Sequence, residues 1–102
     1  MTTLVALYKK PADASKFDTY YYGTHVPIAK KVPGLRGYEV SDGPVDGVGG
    51  PSAYHLVALL EFDSKEALGR ALASPEGQAT AADLGNFATG GVDLLVFDTK
   101  EI

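Results

Sequence analysis

Apolar and polar positions along the chain recur with two different periods, and each change of period marks an element. Residues 3–9 (TLVALYK) are β-branched or apolar and stop before Pro11, which reads as a first strand. Phe17, Tyr21, His25 and Ile28 then follow at helical spacing, on one face of a helix that Asp13 or Ser15 can cap and that runs towards Lys31. Pro27 has no amide hydrogen, and its ring meets the carbonyl four residues back, so a kink or break is expected across Gly23–Pro27. The simpler alternative is that Pro27 opens a second helical segment. Pro33-Gly34 turns the chain into a second strand over 35–42, and a glycine- and proline-rich loop occupies 43–51. Residues 54–62 (YHLVALLEF) form the strongest strand, nearly continuous in apolar residues, as expected of a central strand covered on both faces. Asp63 or Ser64 caps a helix over 65–73, and Ser74-Pro75-Glu76 starts another that runs to about Leu84. Gly90-Gly91 leads into a last strand over 92–99.

Strand, helix, two strands, helix, strand is the order of a single ferredoxin-like βαββαβ domain spanning 1–102, of class α+β. Such a chain lays its helices on one face of a four-stranded antiparallel sheet. Val5, Leu7, Val57, Leu59, Leu95 and Phe97 lie on one parity of their strands. Leu4, Ala6, Leu56, Ala58, Leu60, Val92, Leu94 and Val96 lie on the other. Whatever the phase between strands, neither face is polar. A homodimer packed sheet to sheet, a dimeric α/β barrel, is therefore expected to cover the face without helices.

Charge and composition narrow the functions. A net charge of -4 disfavours nucleic acid and anionic membranes as partners. The chain has no cysteine, so disulfides, thiolate nucleophiles and zinc–sulfur sites are excluded. No apolar run approaches the ~20 residues that span a bilayer, and the first residues do not read as a leader. A soluble cytoplasmic protein is the expectation.

Candidate chemistry gathers between Phe17 and Tyr38. His25 can exchange a proton near neutral pH, and Tyr38, on the next strand, can donate a hydrogen bond to a carbonyl or enolate oxygen. Together they form the two walls of a cleft and could move a proton beside a carbonyl. The competing reading has His25 bonded to a carbonyl freed by Pro27, with a role only in the kink. Tyr21 shares the His25 face as a pocket wall or as ordinary core, with Tyr8 and Phe17 as further pocket candidates. If the hairpin after the second strand is symmetric about Asp46-Gly47, His55 falls opposite Tyr38. His25, His55 and Glu39 or Glu61 lack recognisable ligand spacing, so no metal site is expected.

Several motifs stand in order: Tyr8 with Pro11; Phe17, Tyr20, Tyr21 and His25-x-Pro27; Pro33-Gly34-Leu35 with Tyr38; Phe62-Asp63-Ser64; Ser74-Pro75-Glu76; and Ala82-Asp83-Leu84 with Phe87. Over the whole chain they resemble the EthD family, named for ethyl tert-butyl ether degradation. The resemblance implies the dimeric barrel and an accessory component of a monooxygenase-linked pathway. It also implies a small hydrophobic metabolite, carbonyl, lactone or ether-derived, and no cofactor. A related barrel, a methylmuconolactone isomerase, uses a histidine and a tyrosine that match His25 and Tyr38. It also uses cysteines, which this chain lacks. Three readings stay open: a cofactor-free isomerase, dehydratase or oxidoreductase-associated enzyme; a non-catalytic binding or accessory protein; and a structural dimer with a filled interior.

Overall fold

The computed structural model describes residues 1–102. Strand β1 (Thr2–Lys9) leads into a helix of three pieces: α1 (Ala14–Tyr20), one π turn (Tyr21–His25) and α2 (Val26–Ala29). Next come β2 (Gly37–Val40), the short strands β3 (Asp46–Gly47) and β4 (Gly50–Pro51), and β5 (Tyr54–Phe62). Helices α3 (Lys65–Ala73) and α4 (Pro75–Asp83), a 3-10 turn (Leu84–Asn86) and β6 (Val92–Asp98) follow. The main sheet is antiparallel in the order β2-β5-β1-β6, and β3-β4 forms a small hairpin outside it. This is the ferredoxin-like arrangement with one hairpin inserted. No helix is long and apolar enough to cross a membrane.

Side chains at the helix starts explain where the helices begin. Asp13 accepts from the Lys16 amide at 3.1 Å, Ser64 from Ala67 at 3.0 Å and Ser74 from Gly77 at 3.0 Å. Asp13, not Ser15, is therefore the first cap, and Ser64, not Asp63, the second. Gly34, at φ +81°, makes the turn into β2 that a residue with a Cβ would resist. The first helix neither breaks nor stays regular at Pro27. The Val26 amide reaches back five residues to the Tyr21 carbonyl, and the widened turn takes up the proline. One extra residue in that turn moves the buried stripe from Ile28 to Ala29, which is buried while Ile28 is half-buried.

Strand register decides which apolar face is covered. Val5 lies opposite Leu59 and Leu95, and Thr3 opposite Phe97, so these share one face with Leu7 and Val57. The other face, with Ala6, Tyr8, Leu56, Ala58, Leu60 and Phe62, packs into one core with Phe17, Tyr21, Val32, Leu68, Ala71 and Phe87 from the helical side. The first face is bare: Leu59, Phe97 and Leu95 are 37%, 43% and 51% exposed. β5 is thus covered by helices on one side only. On edge strand β6, Leu94 and Val96 on the helix side are also about half exposed, so that strand is open on both faces.

Two further expectations change. The glycine-rich stretch is not a plain loop but carries the β3-β4 hairpin, which turns at Val48-Gly49. His55 does not oppose Tyr38: Tyr38 pairs with Leu60, and the β1–β5 register slips by one residue between Tyr8↔Leu56 and Lys9↔Tyr54. His55 is the extra residue of that bulge. A bulge re-aims its side chain, here onto α1.

The corner between α3 and α4 depends on Gly77. A Cβ there would lie 2.0 Å from the Ala71 carbonyl oxygen, a backbone atom that cannot swing away. Gly77→Ala is expected to destabilise the fold by about 2 kcal/mol or more, lowering the thermal midpoint on the order of 10 °C. Gly69→Ala in α3, where a Cβ meets nothing within 4 Å, is expected to stabilise by about 0.5–1 kcal/mol. Thermal denaturation of the pair checks this; equal effects would refute the close-approach argument.

Candidate functional site

The π turn points Tyr21 and His25 inward together, four residues apart on the widened helix. They face Tyr8 of β1 and Tyr38 of β2 across a cleft of about 80 Å³ between the helical layer and the covered side of the sheet. Leu4, Ala58, Leu60 and, on the helix side, Ala81 and Leu84 make most of the remaining wall apolar. Leu72 and Leu94, both about half exposed, stand at its open side.

His25 is almost fully enclosed, and one of its nitrogens is taken. Nδ1 lies 2.9 Å from an oxygen of Asp83, at the end of α4. The other carboxylate oxygen accepts from the Tyr20 hydroxyl at 2.6 Å and from the Asn86 amide at 2.9 Å. Burial opposes the Asp83 charge, but the bonds from Tyr20, Asn86 and His25 outweigh it and hold the carboxyl below its usual range. An ionised Asp83 can only accept, so Nδ1 carries the hydrogen. Burial pushes His25 itself below the ordinary imidazole range, more strongly than Asp83 lifts it, and the ring is neutral. Nε2 therefore presents a lone pair. It has no partner in the chain, and no fully enclosed side-chain nitrogen or oxygen lacks one, so Nε2 opens onto the cleft. Phe87, 4.6 Å from the imidazole centre to centre, packs against the ring.

Beside it a pair of phenols bridges the cleft from helix to sheet. The Tyr21 and Tyr38 hydroxyls are 2.6 Å apart, so one donates to the other and a single O–H is left for a ligand. Burial in the first place drives the ionisation of both upward, as does burial for Tyr8. All three stay neutral donors in ordinary buffers. The site thus combines a fixed base nitrogen with neutral hydrogen-bond donors in apolar surroundings. That is equipment for moving a proton next to a polarised oxygen.

Tyr8, Tyr21, His25 and Tyr38 are brought to one cavity; Phe17 and His55 are not. Phe17 lies behind the wall, stacked on Tyr21 at 5.7 Å and edge-on to Tyr8 at 5.4 Å. His55 contacts Phe17 edge-on at 4.9 Å and bonds Asp18 at 2.8 Å, at the mouth of a separate polar groove. The two histidines thus hold different carboxylates, and no three His, Cys, Asp or Glu side chains form a metal-binding group. Sequence reasoning missed Asp83 as the partner of His25, and Asn86 as a donor to that carboxylate. One signal was present: an acid at the C-terminal end of a helix opposes the helix dipole, so a buried one there needs donors from elsewhere.

Comparison with known proteins adds to this geometry. Residues 9–91 match the EthD domain family. The chain is 42% identical to an uncharacterized 11.0 kDa protein of the thcB–thcC intergenic region of Rhodococcus erythropolis, covering 100% of this chain and 98% of that protein. It is similar to the crystal structure of an ethyl tert-butyl ether degradation family protein from Bacillus halodurans, with a TM-score of 0.89 and 34% identity over 98% of this chain and 99% of that one. A dimeric ferredoxin-like protein of unknown function from Thermobifida fusca superposes with a TM-score of 0.71 at 12% identity, covering 96% of this chain and 90% of that one. The last likeness is one of fold alone.

The His25 environment sets a pH dependence. Its folded affinity for protons is below the unfolded value near 6.5, so below that pH the unfolded chain binds more protons. Stability is therefore lost as pH falls from about 6.5 towards the depressed folded value, and the Asp83 contribution is lost at still lower pH, below about 3.8. Thermal midpoints between pH 7.5 and 5 should fall for the native chain and fall less for His25→Gln. Parallel slopes would show that His25 is not the titrating group.

Proposed function

Since the chain belongs to the EthD family, we propose that it binds a small uncharged carbonyl compound in this cleft and transfers a proton on it. The single observation that carries the reading is the His25 Nε2 lone pair, fixed from behind by Asp83 and open to an apolar cavity with phenolic donors. Nε2 removes a proton from a carbon beside the carbonyl. Asp83 steadies the imidazolium that forms, and the spare O–H of the Tyr21–Tyr38 pair stabilises the enolate oxygen. The imidazolium then returns the proton to another position of the same carbon–oxygen skeleton. Atoms and charge balance without a co-reactant, so the net change is an isomerisation.

A second reading keeps the cleft and removes the turnover: the protein holds a hydrophobic metabolite for a partner monooxygenase. The apolar mouth at Leu72 and Leu94 favours it, because a hand-over needs an apolar contact. In both readings the bare sheet face, with Leu59, Leu95 and Phe97, is covered by a second copy of the chain in a homodimeric barrel. The description of the Thermobifida fusca protein as dimeric supports this.

With a turned-over carbonyl substrate, His25→Ala is expected to lower kcat by about 10²-fold or more. Tyr38→Phe is expected to lower it by about tenfold, since Tyr21 remains as a donor. Deuterium incorporation from heavy water, followed by NMR, measures both. Binding without exchange in the native chain would favour the carrier. Native mass spectrometry is expected to show a dimer, and Phe97→Lys to shift it to monomer; a native monomer would refute the barrel.

A further inference from the structure

Tyr8 has one polar atom that the fold leaves without a partner. Its ring is 2% exposed and packs against Tyr21 at 5.5 Å and Phe87 at 5.5 Å, yet its hydroxyl makes no hydrogen bond within the chain. Because no fully enclosed side-chain oxygen is unpaired and Tyr8 lines the cleft, that hydroxyl opens into the cavity. Sequence patterning does not demand it: at a buried strand position Phe would pack as well and carry no unpaired O–H.

The cleft therefore offers three polar points to one ligand: the Tyr8 hydroxyl, the spare hydroxyl of the Tyr21–Tyr38 pair, and His25 Nε2. They are close together, since the Tyr21 ring is 5.5 Å from Tyr8 and 5.4 Å from His25, and its hydroxyl touches Tyr38. Two donors and one base call for a ligand with two acceptor oxygens and an acidic C–H between them. No lysine or arginine lines the cavity, and the Asp83 charge lies behind His25. A carboxylate would be buried there without a counter-charge, which is strongly unfavourable. Size adds a limit: about 80 Å³ is roughly half of the cavity that encloses benzene, so the dioxygenated carbons are enclosed and the rest of a ligand extends past Leu72 and Leu94 at the open side.

We propose that Tyr8 is a ligand-binding residue and that the cleft takes a small, neutral 1,3-dioxygenated compound, a β-dicarbonyl or its enol. One oxygen is held by Tyr8 and the other by the Tyr21–Tyr38 pair. The carbon between them faces His25 Nε2. Removal of its proton gives an enolate whose charge both phenol sites share, and the proton on Nε2 returns to oxygen or carbon, completing the keto–enol exchange. This deepens the proton-transfer reading and rests on it.

The test uses the full chain and two probes of equal length, pentane-2,4-dione and pentan-2-one, titrated against the ¹³C-labelled tyrosine and histidine ring signals. The expected result is a preference of about tenfold for the dione, from one additional buried hydrogen bond. Tyr8→Phe should bring the preference down to about one while leaving the thermal midpoint unchanged. His25→Gln should keep the preference and lose the enhanced deuterium exchange at the central carbon. Equal affinities in the native chain, or a preference retained in Tyr8→Phe, would overturn the assignment of Tyr8 and leave the cleft itself standing. If neither probe moves the His25 or Tyr38 signals, the proton-transfer reading falls together with it.

Discussion

A missing amide hydrogen at Pro27 organises the centre of the molecule. A regular α-helix would set the proline ring against the Gly23 carbonyl. Opening the turn to a five-residue reach, from Val26 back to Tyr21, relieves that conflict without ending the helix. The relief rotates everything that follows by one position, burying Ala29 where Ile28 would have been. It also leaves Tyr21 and His25 on the same inner face. The backbone irregularity thus spans the two site residues of this helix, in keeping with the frequent occurrence of π turns where function is concentrated.

From that turn the electrostatics follow in opposite directions on the two sides of the imidazole. Behind it, Asp83 has three donors and stays charged in spite of burial. In front of it, the phenols have only one another and apolar neighbours, and their ionisation is suppressed. Charge is confined to the rear of His25 and excluded from the cleft. A neutral base can then face a neutral ligand with little water to compete.

Much of the architecture could be read from residue pattern, because local chemistry and burial agreed. The strand at 54–62 and the helix at 65–73 appear with the limits expected of them, for each has an apolar period and, for the helix, a serine cap. What could not be read depended on contacts distant in sequence. His55 left its expected pairing because the β2–β5 register sets Tyr38 against Leu60, five positions further along the strand, and only the meeting of the two strands fixes that register. Tyr38 and Tyr21 showed their residue types but not that their hydroxyls touch. Asp83 lies 58 positions from His25, and nothing local says which buried base a distant acid will find. Periodicity reports which side of an element is inward, not what it meets there.

The enclosure of His25 has a consequence for isotopes. Nδ1 is committed to Asp83 and the ring lines the cleft, so a ligand in the cavity comes between the imidazole and most of the bulk water. A proton lifted onto Nε2 then has the ligand as its nearest acceptor, not solvent. On the proposed proton transfer, part of the label carried in on a substrate's own carbon would be redelivered to the same molecule, and the rest would exchange with water through the open side of the cleft. In that reading the buried histidine is a reservoir holding one proton, and its memory lasts as long as the ligand stays.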